Sequence, residues 1–391
     1  MNSRTYIQAY SCVSAMGRTK QAHARSLLAG HSPGMGVSTA WRKHSAQAFV
    51  GSVLDEFPAV RNLEHDTRNN RILQACLGDI ESEVRTAISA VGSSRFAIVA
   101  GTSTSGIAEA ETALFSSAPG SIHEDYEYAR QEFGSPAAFL KDLLGTTGPS
   151  FALSTACTSS TNAFISARRL LRLGLADAVL VVGADSLCRT TVEGFISLEA
   201  VSDTLCLPMS AHRKGINIGE GAAVFLLSRE PGPIELRGVG ESCDAYHLSS
   251  PDPTGRGAEA AMRAALRDAD LTPGDIDYVN LHATGTIKND QMESLAMQRV
   301  FPAGVACSGT KSLTGHTLGA AGAIEAALCC LAITENILPP HVWDGHPDLT
   351  LPPLRLASVG QPFPQGAKQV CMTNNFAFGG SNVSLILAAT R

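Results

Sequence analysis

The sequence predicts an α/β fold built from two similar halves, and three observations support this prediction. Continuous apolar runs such as Arg95 to Ala100 and Ala178 to Gly183 are typical of strands that helices cover on both faces. Helical patterns alternate with these runs along the chain. The segment Pro231-Gly232-Pro233 is the clearest break, and strands, polar loops and helices follow in the same order on each side of it. We therefore predict two βαβ-type halves, residues 1–230 and residues 231–391.

In the first half, a strand from Thr5 to Val13 precedes a helix from about Thr19 to Ala29 and a loop from Gly30 to Gly36. Apolar residues at helical spacing from Asp66 to Val91 predict one long amphipathic helix. The polar segment from Ser116 to Ser135 predicts an irregular surface excursion. The other predicted elements of this half are strands at Phe151 to Ser154 and Gly221 to Leu227, and a helix at Ser159 to Leu173 that Gly174 ends.

The second half repeats this alternation. Its predicted strands are Ile234 to Ala245, Ile276 to Leu281, Gly304 to Ser308, Gln369 to Thr373 and Asn382 to Leu387, and its first helices are Gly257 to Ala269 and Gln291 to Val300. A glycine-rich loop, Gly309 to Gly319, leads into an almost uniformly apolar helix from Ala320 to Ile333. A helix that is apolar on all sides is predicted to be buried.

Composition narrows the class of protein. A chain of 391 residues with 17% charged residues and 36 glycines is typical of a compact enzyme with many tight turns. A net charge of −6 gives no general attraction to nucleic acid or to an anionic membrane. The ten cysteines have no C-x-x-C spacing, which favours a reducing compartment. With strand-like residues directly after Met1 to Arg4 and no long uninterrupted apolar stretch, we expect a cytoplasmic protein without a membrane span.

One cysteine lies at the most informative position in the chain. Cys157, in Thr155-Ala156-Cys157-Thr158-Ser159-Ser160, follows a strand and begins a helix. Unpaired N–H groups and the partial positive charge of a helix N-terminus stabilise a thiolate and an adjacent oxyanion. Taken alone, such a cysteine is more often a core residue. Its assignment as a nucleophile depends on partners elsewhere in the chain.

Two histidines provide those partners. His282 directly follows a predicted strand, and His316 lies in the glycine-rich loop after the next strand. Catalytic groups of α/β sheets collect at the carboxyl ends of strands, so both histidines and Cys157 are expected in one site. A zinc site would normally include at least one closely spaced ligand pair, which this set lacks. A cysteine protease would leave the second histidine and the nearby Lys311 without a role.

Four motifs carry a resemblance to a known family. They are Thr155-Ala156-Cys157-Thr158-Ser159-Ser160, His282-Ala283-Thr284-Gly285-Thr286, the segment from Lys311 to Gly322 (KSLTGHTLGAAG), and the segment from Asn374 to Asn382 (NNFAFGGSN). In identity and order they resemble the signatures of the β-ketoacyl-[acyl-carrier-protein] synthases of the Cys-His-His class. The resemblance covers the chain from the first strand to the C-terminus. It implies the thiolase fold, with the duplicated halves in a five-layered α-β-α-β-α arrangement.

The resemblance also implies a role for each site residue. Cys157 would carry the acyl group, the backbone N–H groups of Cys157 and Phe378 would form the oxyanion hole, and His282 and His316 would hold the enolate that forms when malonyl-carrier protein loses CO2. The loop that contains Phe376 and Phe378 gates the site in relatives. By the same resemblance, Lys311, with Glu325, would hold the network that orients His316. Asp290 and Glu293 match acidic residues near the site, although an acidic pair at a helix N-terminus explains them nearly as well.

Partners and cofactors follow from the same resemblance. Acyl carrier protein would bring its substrates on phosphopantetheine, and the protein would need no metal and no other cofactor. We expect a homodimer, or a heterodimer with a related ketosynthase subunit. Because the carrier protein is acidic, Arg68 and Arg71 are the predicted carrier contacts. Arg168, Arg169 and Arg172 are weaker candidates, since cations near a helix C-terminus need no further explanation.

The chain departs from the family pattern in several places. The departures are Ala283, Ile287, Asn289, Ala377 and Pro208-Met209-Ser210. They favour a specialised branch, such as polyketide or polyene synthesis, over housekeeping fatty-acid elongation. Two alternatives stay open: a thiolase or starter synthase acting on coenzyme A thioesters, which His316 argues against, and a non-catalytic chain-length subunit, which would lack the nucleophile. Acyl length and saturation are not predicted.

Overall fold

A mixed sheet of eleven strands forms the centre of the molecule, in a computed structural model that describes residues 4–42, 46–116, 121 and 126–390. The strands, numbered in chain order, are β1 (Tyr6–Val13), β4 (Phe96–Gly101), β5 (Ser150–Leu153), β6 (Ala178–Asp185), β7 (Gly221–Ser228), β8 (Ile234–Cys243), β9 (Tyr278–Leu281), β10 (Ala306–Gly309), β11 (Arg355–Leu356), β12 (Val370–Phe376) and β13 (Ser381–Ala389). A separate hairpin pairs β2 (Met35–Ser38) with β3 (Ala48–Gly51).

The two halves of the chain have the same strand order. The first half is arranged β1-β7-β6-β4-β5 and the second β8-β13-β12-β9-β10, with β11 added at the edge. In the first half β4 and β5 are parallel, and β7 is antiparallel to its neighbours β1 and β6. In the second half β9 and β10 are parallel, and β13 is antiparallel to its neighbours β12 and β8. The halves meet where β1 pairs with β8 over only two residue pairs, Tyr6 with Glu235 and Ile7 with Ile234. The predicted duplication of βαβ-type halves is confirmed.

Helices lie on both faces of the sheet. They are α1 (Lys20–Ala29), α2 (Arg68–Gly78), α3 (Glu81–Val91), α4 (Ile107–Ser116), α5 (Tyr128–Gln131), α6 (Ser135–Leu144), α7 (Ser159–Arg172), α8 (Arg189–Ser197), α9 (Arg256–Ala269), α10 (Ile287–Val300), α11 (Lys311–Thr314) and α12 (Ala321–Glu335). One hydrophobic cluster packs α2, α3 and α6 on the outer face of the first half, and another packs α9 and α10 on the outer face of the second. A third cluster holds α7 and α12 between the halves. Three helical layers alternate with the two halves of the sheet, which gives the predicted five-layered α-β-α-β-α arrangement.

The two loops that carry the candidate site lead into the central helices, α7 and α12. α7 and α12 approach each other so closely that a Cβ on Gly322 would come within 1.9 Å of the Thr161 hydroxyl. Leu318–Glu335 is long and apolar enough to cross a membrane, with a mean hydropathy of 1.5, but 89% of it is buried inside the molecule. It is the one such segment in the described part of the chain. The helix predicted to be buried on all sides is therefore the central core helix.

Three local predictions need correction or restriction. The helix predicted from Asp66 to Val91 is two helices, because the chain breaks at Asp79 and Ile80, where Ser11 donates a hydrogen bond to the Asp79 carboxylate. The predicted loop from Gly30 to Gly36 contains the start of β2. Of the predicted excursion from Ser116 to Ser135, residues 117–120 and 122–125 lie outside the described residues. The division into units 1–230 and 231–391 stays a prediction, since a shared sheet does not show whether either half folds alone.

Candidate active site

Cys157 sits in a strained turn between β5 and α7. The preceding Ala156 has a φ of +52°, a left-handed backbone conformation that residues other than glycine adopt at a cost in free energy. Ser159 holds this turn, since its hydroxyl accepts from the Thr155 N–H and donates to the Ala156 carbonyl at 2.6 Å. The turn places the thiol at the start of the helix with only 6% of the residue exposed. The predicted position of the nucleophile at a helix start agrees with this geometry.

The thiol faces backbone donors from both halves of the chain. The backbone N–H groups of Phe378 and of Cys157 itself lie near enough to the sulfur to lower the pKa of the thiol. They are the two groups assigned to the predicted oxyanion hole, which stays a prediction. Burial raises the pKa of the Cys157 thiol to about 11, while the Lys311 ammonium and the Phe378 N–H act in the opposite direction. At neutral pH the resting group is therefore a protonated thiol.

His316 presents an N–H to the thiol. Its Nε2 lies 3.0 Å from Cys157 Sγ, and its Nδ1 accepts a hydrogen bond of 3.3 Å from the Leu318 N–H. An imidazole nitrogen that accepts carries no proton, so the proton of the neutral ring is on Nε2. Burial and the Lys311 ammonium hold the pKa of His316 well below its usual range. The ring is thus a neutral donor that points at the reacting centre.

His282 is held in the same tautomer by a different group. The Lys311 ammonium, which can only donate, lies 3.4 Å from His282 Nδ1 and so leaves the ring proton on Nε2. Burial and Lys311 hold the pKa of His282 well below its usual range. The two imidazole rings are 5.4 Å apart and nearly perpendicular. The site therefore contains two neutral imidazole N–H donors beside one thiol.

Lys311 belongs to a buried network that includes Glu325, its predicted partner. Its ammonium forms an ion pair with Glu325, whose other oxygen accepts a hydrogen bond of 2.6 Å from Asn375. Both members of the pair are about 1% exposed. The lysine contacts His282, and the Leu318 N–H contacts His316, so the predicted effect of Lys311 on the orientation of His316 stays a prediction.

Asp290 and Glu293 hold the loop that carries His282. Both oxygens of Glu293 accept backbone hydrogen bonds of 2.7 Å, one from the His282 N–H and one from the Ala283 N–H. Asp290 accepts from the N–H groups of Met209 and Gly285. Burial raises the pKa of Glu293 to about 7 and that of Asp290 to about 6. Neither carboxylate reaches the cavity, so they act as supports of the loop.

The phenylalanine loop closes one side of the site. Phe376 is buried with its ring 6.0 Å from that of His282, and Phe378 stacks on Phe195 at 5.4 Å. Ala377 is extended, with a φ of −104°, so its methyl group imposes no backbone strain. A second departure from the family pattern, Ala283, has a φ of +37°, a conformation that favours glycine. Strain therefore accompanies the departure beside His282 and is absent from the departure between the phenylalanines.

These residues surround one cavity of about 320 Å³. Cys157, His282 and His316 line it together with Thr284, Thr286, Phe195, Phe376, Phe378, Lys214 and Lys288. The roles of the threonines and lysines were not predicted, although both threonines belong to the His282 motif. Asn375, in the phenylalanine motif, was also missed. Its contact with Glu325, 50 residues away, has no local signal.

Arg68 and Arg71, the predicted carrier contacts, are engaged in internal ion pairs. Arg68 donates to both oxygens of Glu220, at 2.8 and 2.5 Å, and Glu220 is completely buried. Arg71 donates to both oxygens of Asp66. Neither arginine lines the cavity. Their contact with a carrier protein stays a prediction, whereas their contacts within the molecule are those of structural residues. Of the weaker candidates, Arg168 and Arg172 pair with Asp268, and Arg169 pairs with Glu241.

The same three side chains could be considered as metal ligands. The nearest ligand atoms of Cys157, His282 and His316 all lie within 4.8 Å of one another. However, both Nδ1 atoms accept protein hydrogen bonds, so each ring presents an N–H to the cavity and not a lone pair. A buried ammonium next to one ring further disfavours a cation. The donor set fits an anionic reaction centre better than a metal.

Fold and site together define a class of protein, the thiolase-type α/β proteins, here with a buried cysteine thiol beside two neutral imidazole N–H donors. The chain belongs to the β-ketoacyl synthase family: the N-terminal domain of that family matches residues 4–231, and its C-terminal domain matches residues 234–343. The resemblance drawn from the four motifs is thereby confirmed.

Individual relatives agree with this assignment. The chain is 38% identical over 261 residues to nodulation protein E of Rhizobium leguminosarum bv. trifolii and 36% identical over 259 residues to 3-oxoacyl-[acyl-carrier-protein] synthase 2 of Rhizobium meliloti (strain 1021). The matched region spans 64% of both chains in the first case and 61% of both in the second, somewhat less than two thirds of these relatives' length.

Solved structures match over almost the whole chain. A ketosynthase (ApeO) from Xenorhabdus doucetiae, determined in complex with its chain length factor (ApeC), is 46% identical with a TM-score of 0.94, covering 99% of this chain and 98% of that one. A β-ketoacyl synthase from Burkholderia phymatum STM815 is 27% identical with a TM-score of 0.88, covering 99% and 100%.

Proposed function

We propose that the protein is a β-ketoacyl-[acyl-carrier-protein] synthase, which joins an acyl group held on Cys157 to a two-carbon unit derived from malonyl-carrier protein. The observation that carries this proposal is the set of donors in one cavity. Two neutral imidazole N–H groups lie beside the thiol, and the backbone N–H groups of Phe378 and Cys157 are near enough to lower its pKa.

The first step loads the cysteine. Cys157 sulfur bonds to the acyl carbon of an acyl-phosphopantetheine thioester, the bond from that carbon to the pantetheine sulfur breaks, and the cysteine proton ends on the released thiol. Because burial raises the pKa of the thiol, the N–H groups of Phe378 and Cys157 are needed to stabilise the charge that develops on sulfur and oxygen.

The second step forms the carbon–carbon bond. Malonyl-carrier protein loses CO2, and the electron pair of the broken bond makes an enolate whose oxygen accepts from the Nε2–H groups of His282 and His316. The enolate carbon attacks the acyl-cysteine carbonyl, and the oxyanion occupies the hole made by Cys157 and Phe378. Collapse of this intermediate releases the β-ketoacyl product, and the cysteine sulfur takes up a proton.

Neutral histidines suit this chemistry. An imidazolium would bind the malonyl carboxylate and retard its departure as CO2, whereas a neutral N–H donor stabilises the enolate without holding the carboxylate. Lys311 supports both properties, because it lowers the pKa of both rings and fixes the tautomer of His282. We assign it to positioning and not to proton transfer.

The wider setting is part of the proposal. We infer a cytoplasmic enzyme with no resident cofactor, whose substrates arrive on the phosphopantetheine of acyl carrier protein. The departures around His282 and the similarity to the Xenorhabdus ketosynthase favour a specialised polyketide or polyene-type pathway over general fatty-acid synthesis. The same similarity favours a heterodimer with a related chain length factor, and a homodimer is the competing arrangement.

A non-catalytic chain-length subunit is the second candidate function. The presence of the cysteine, both histidines and the lysine network argues against it, since a subunit without turnover does not require them. A thiolase acting on coenzyme A thioesters is disfavoured by His316, whose N–H faces the thiol.

The test is acylation observed by intact mass. The protein, alone and together with a candidate partner subunit, is incubated with a panel of acyl-carrier proteins. We expect an acyl adduct that Cys157→Ala abolishes. A full adduct on the Cys157→Ala protein contradicts the mechanism, and no adduct under any condition favours the non-catalytic reading. Acylation only with the partner present assigns the active form to a heterodimer.

A further inference from the structure

Two exposed lysines line the cavity that holds the buried Cys157 thiol, and they differ in their partners. Lys214 lies 3.7 Å from Asp203, in a pair whose side chains are 65% and 78% exposed. Lys288, at the start of α10, donates a hydrogen bond of 2.9 Å to the hydroxyl of Ser250. Lys288 therefore has a polar partner without a negative charge.

Lys288 also lies where the cavity meets a second surface hollow. Lys288, Ser250 and Pro251 line both spaces. The second hollow is otherwise formed by residues such as Tyr246, Gln291 and Leu351. The junction of the two spaces is thus marked by an ammonium and a hydroxyl group that contact each other.

An acyl-carrier substrate has a single fixed anion along its arm. The thioester end of phosphopantetheine must reach Cys157, while the phosphate joins the arm to the surface of the carrier protein. The phosphate must therefore remain where the cavity opens at the protein surface. An ammonium and a hydroxyl are suitable partners for phosphate oxygens, Lys acting as a point charge.

We propose that Lys288, with the Ser250 hydroxyl, binds the phosphate of the phosphopantetheine arm. This inference rests on the proposed function and identifies where its substrate is held. Lys288 differs from Arg68, a carrier contact predicted from the sequence, because Arg68 pairs with a buried carboxylate and Lys288 donates to a hydroxyl.

Two carboxylates also line the cavity, and neither contacts Lys288 in the structure. Asp244 accepts from the Asn382 amide and from the Asp252 N–H, which commits it to the adjacent loop. Glu199 is exposed. Lys214 is the natural comparison, because it lines the same cavity but shares its charge with Asp203.

The experiment compares two small substrates that differ only in the phosphate: malonyl-phosphopantetheine and malonyl-pantetheine. Decarboxylation is followed by intact mass for the wild type, Lys288→Ala, Lys288→Arg and Lys214→Ala, with Lys141→Ala as a control for removal of an exposed lysine on α6. For Lys288→Ala we expect kcat/KM for the phosphorylated substrate to fall about fivefold through a higher KM, as for an exposed charge pair. Lys288→Arg should retain most of the preference, and the effect should shrink at high salt.

The outcomes separate this inference from the proposed function. If Lys288→Ala lowers kcat/KM equally for both substrates, or for neither, the phosphate site is refuted while turnover by the wild type still supports the synthase. A larger loss in Lys214→Ala than in Lys288→Ala also refutes it. If the wild type, alone and together with the candidate partner subunit, decarboxylates neither substrate nor malonyl-carrier protein, the proposed function and the phosphate site fail together.

Discussion

Replacing Lys311 by methionine separates the structural role of this buried ammonium from its chemical one. The change leaves the Glu325 carboxylate buried with only the Asn375 amide as a partner. Breaking a buried ion pair in this way costs about 3 to 5 kcal/mol of unfolding free energy. Burial already raises the pKa of Glu325, so its ionised form is the one that folding disfavours. The loss of stability in Lys311→Met should therefore be small at low pH and grow as the pH rises above the unfolded value of about 4.5.

The chemical role can be estimated from the geometry. The ammonium lies 3.4 Å from His282 Nδ1, and the enolate oxygen would sit on the far side of that ring, roughly 8 Å from the charge once the ring and one hydrogen bond are crossed. At an effective dielectric constant of about 20 this attraction is worth about 2 kcal/mol, or roughly 30-fold in rate. The Glu325 carboxylate, which pairs with the ammonium, offsets part of this attraction. We therefore expect malonyl-carrier decarboxylation by Lys311→Met to be about 10- to 30-fold slower than by the wild type.

Two further variants make the estimate refutable. Lys311→Met/Glu325→Gln removes both charges and should recover the stability, to within about 1 kcal/mol of wild type, but not the rate. Glu325→Gln alone keeps the ammonium and should lose stability while retaining most of the decarboxylation below its unfolding temperature. Stability is measured by urea unfolding across pH 5 to 8, and decarboxylation by intact mass of the acetyl-carrier product. A double variant that decarboxylates at the wild-type rate would refute the assignment of Lys311 to the reacting centre.

Three other predictions test the remaining parts of the site. Phe378→Pro removes the N–H assigned to the oxyanion hole, and the preceding Ala377 is extended and so tolerates a following proline. Condensation should slow about 100- to 1,000-fold in this variant and far less in Phe378→Ala, which keeps the N–H. Equal losses in the two variants would contradict the oxyanion hole. Ala283→Gly removes the side chain from a left-handed backbone position, so the unfolding free energy should stay within about 1 kcal/mol of wild type. Ala283→Val places a β-branched side chain there and should lower the unfolding free energy by at least about 2 kcal/mol. A valine variant as stable as wild type would contradict backbone strain at this position. Because burial raises the pKa of the Cys157 thiol to about 11, alkylation by iodoacetamide should accelerate about tenfold per pH unit from pH 7 to 10, and a rate that levels off by pH 8 refutes a protonated resting thiol.

Much of the fold was predictable because its signals are local. Buried strands such as β6 and β7 are continuous apolar runs, and the uniform apolarity of α12 predicts its central position. The turn at Cys157 is likewise encoded in adjacent residues, since Ser159 binds the backbone of Thr155 and Ala156. The β2–β3 hairpin was missed because each strand has only four residues, too few to show a recognisable apolar pattern. The break between α2 and α3 falls at Asp79, whose carboxylate accepts a hydrogen bond from Ser11, 68 residues away, and this contact could not be predicted from the helix itself.

The contacts in the site that the sequence did not predict have a common physical cause, which is charge pairing between distant parts of the chain. Lys311 and His316 are neighbours in one motif, yet the ammonium contacts His282, 29 residues away. Arg68 was predicted from its charge to be a docking residue, but its side chain pairs with Glu220, 152 residues away. Sequence identifies which side chains carry charge. It does not identify which charges are already neutralised, and that information determines which cations can meet a substrate.

The matched strand order of the two halves also bears on how this catalyst is divided. The loops that lead into the two central helices occupy equivalent places; one carries Cys157 and the other carries His316, and the pseudo-symmetry brings them 3.0 Å apart. One half supplies the buried thiol, and its counterpart supplies the imidazoles, the lysine and the Phe378 N–H. This arrangement lets each copy carry different side chains at equivalent places. The complete set of groups exists only where the two copies share one sheet.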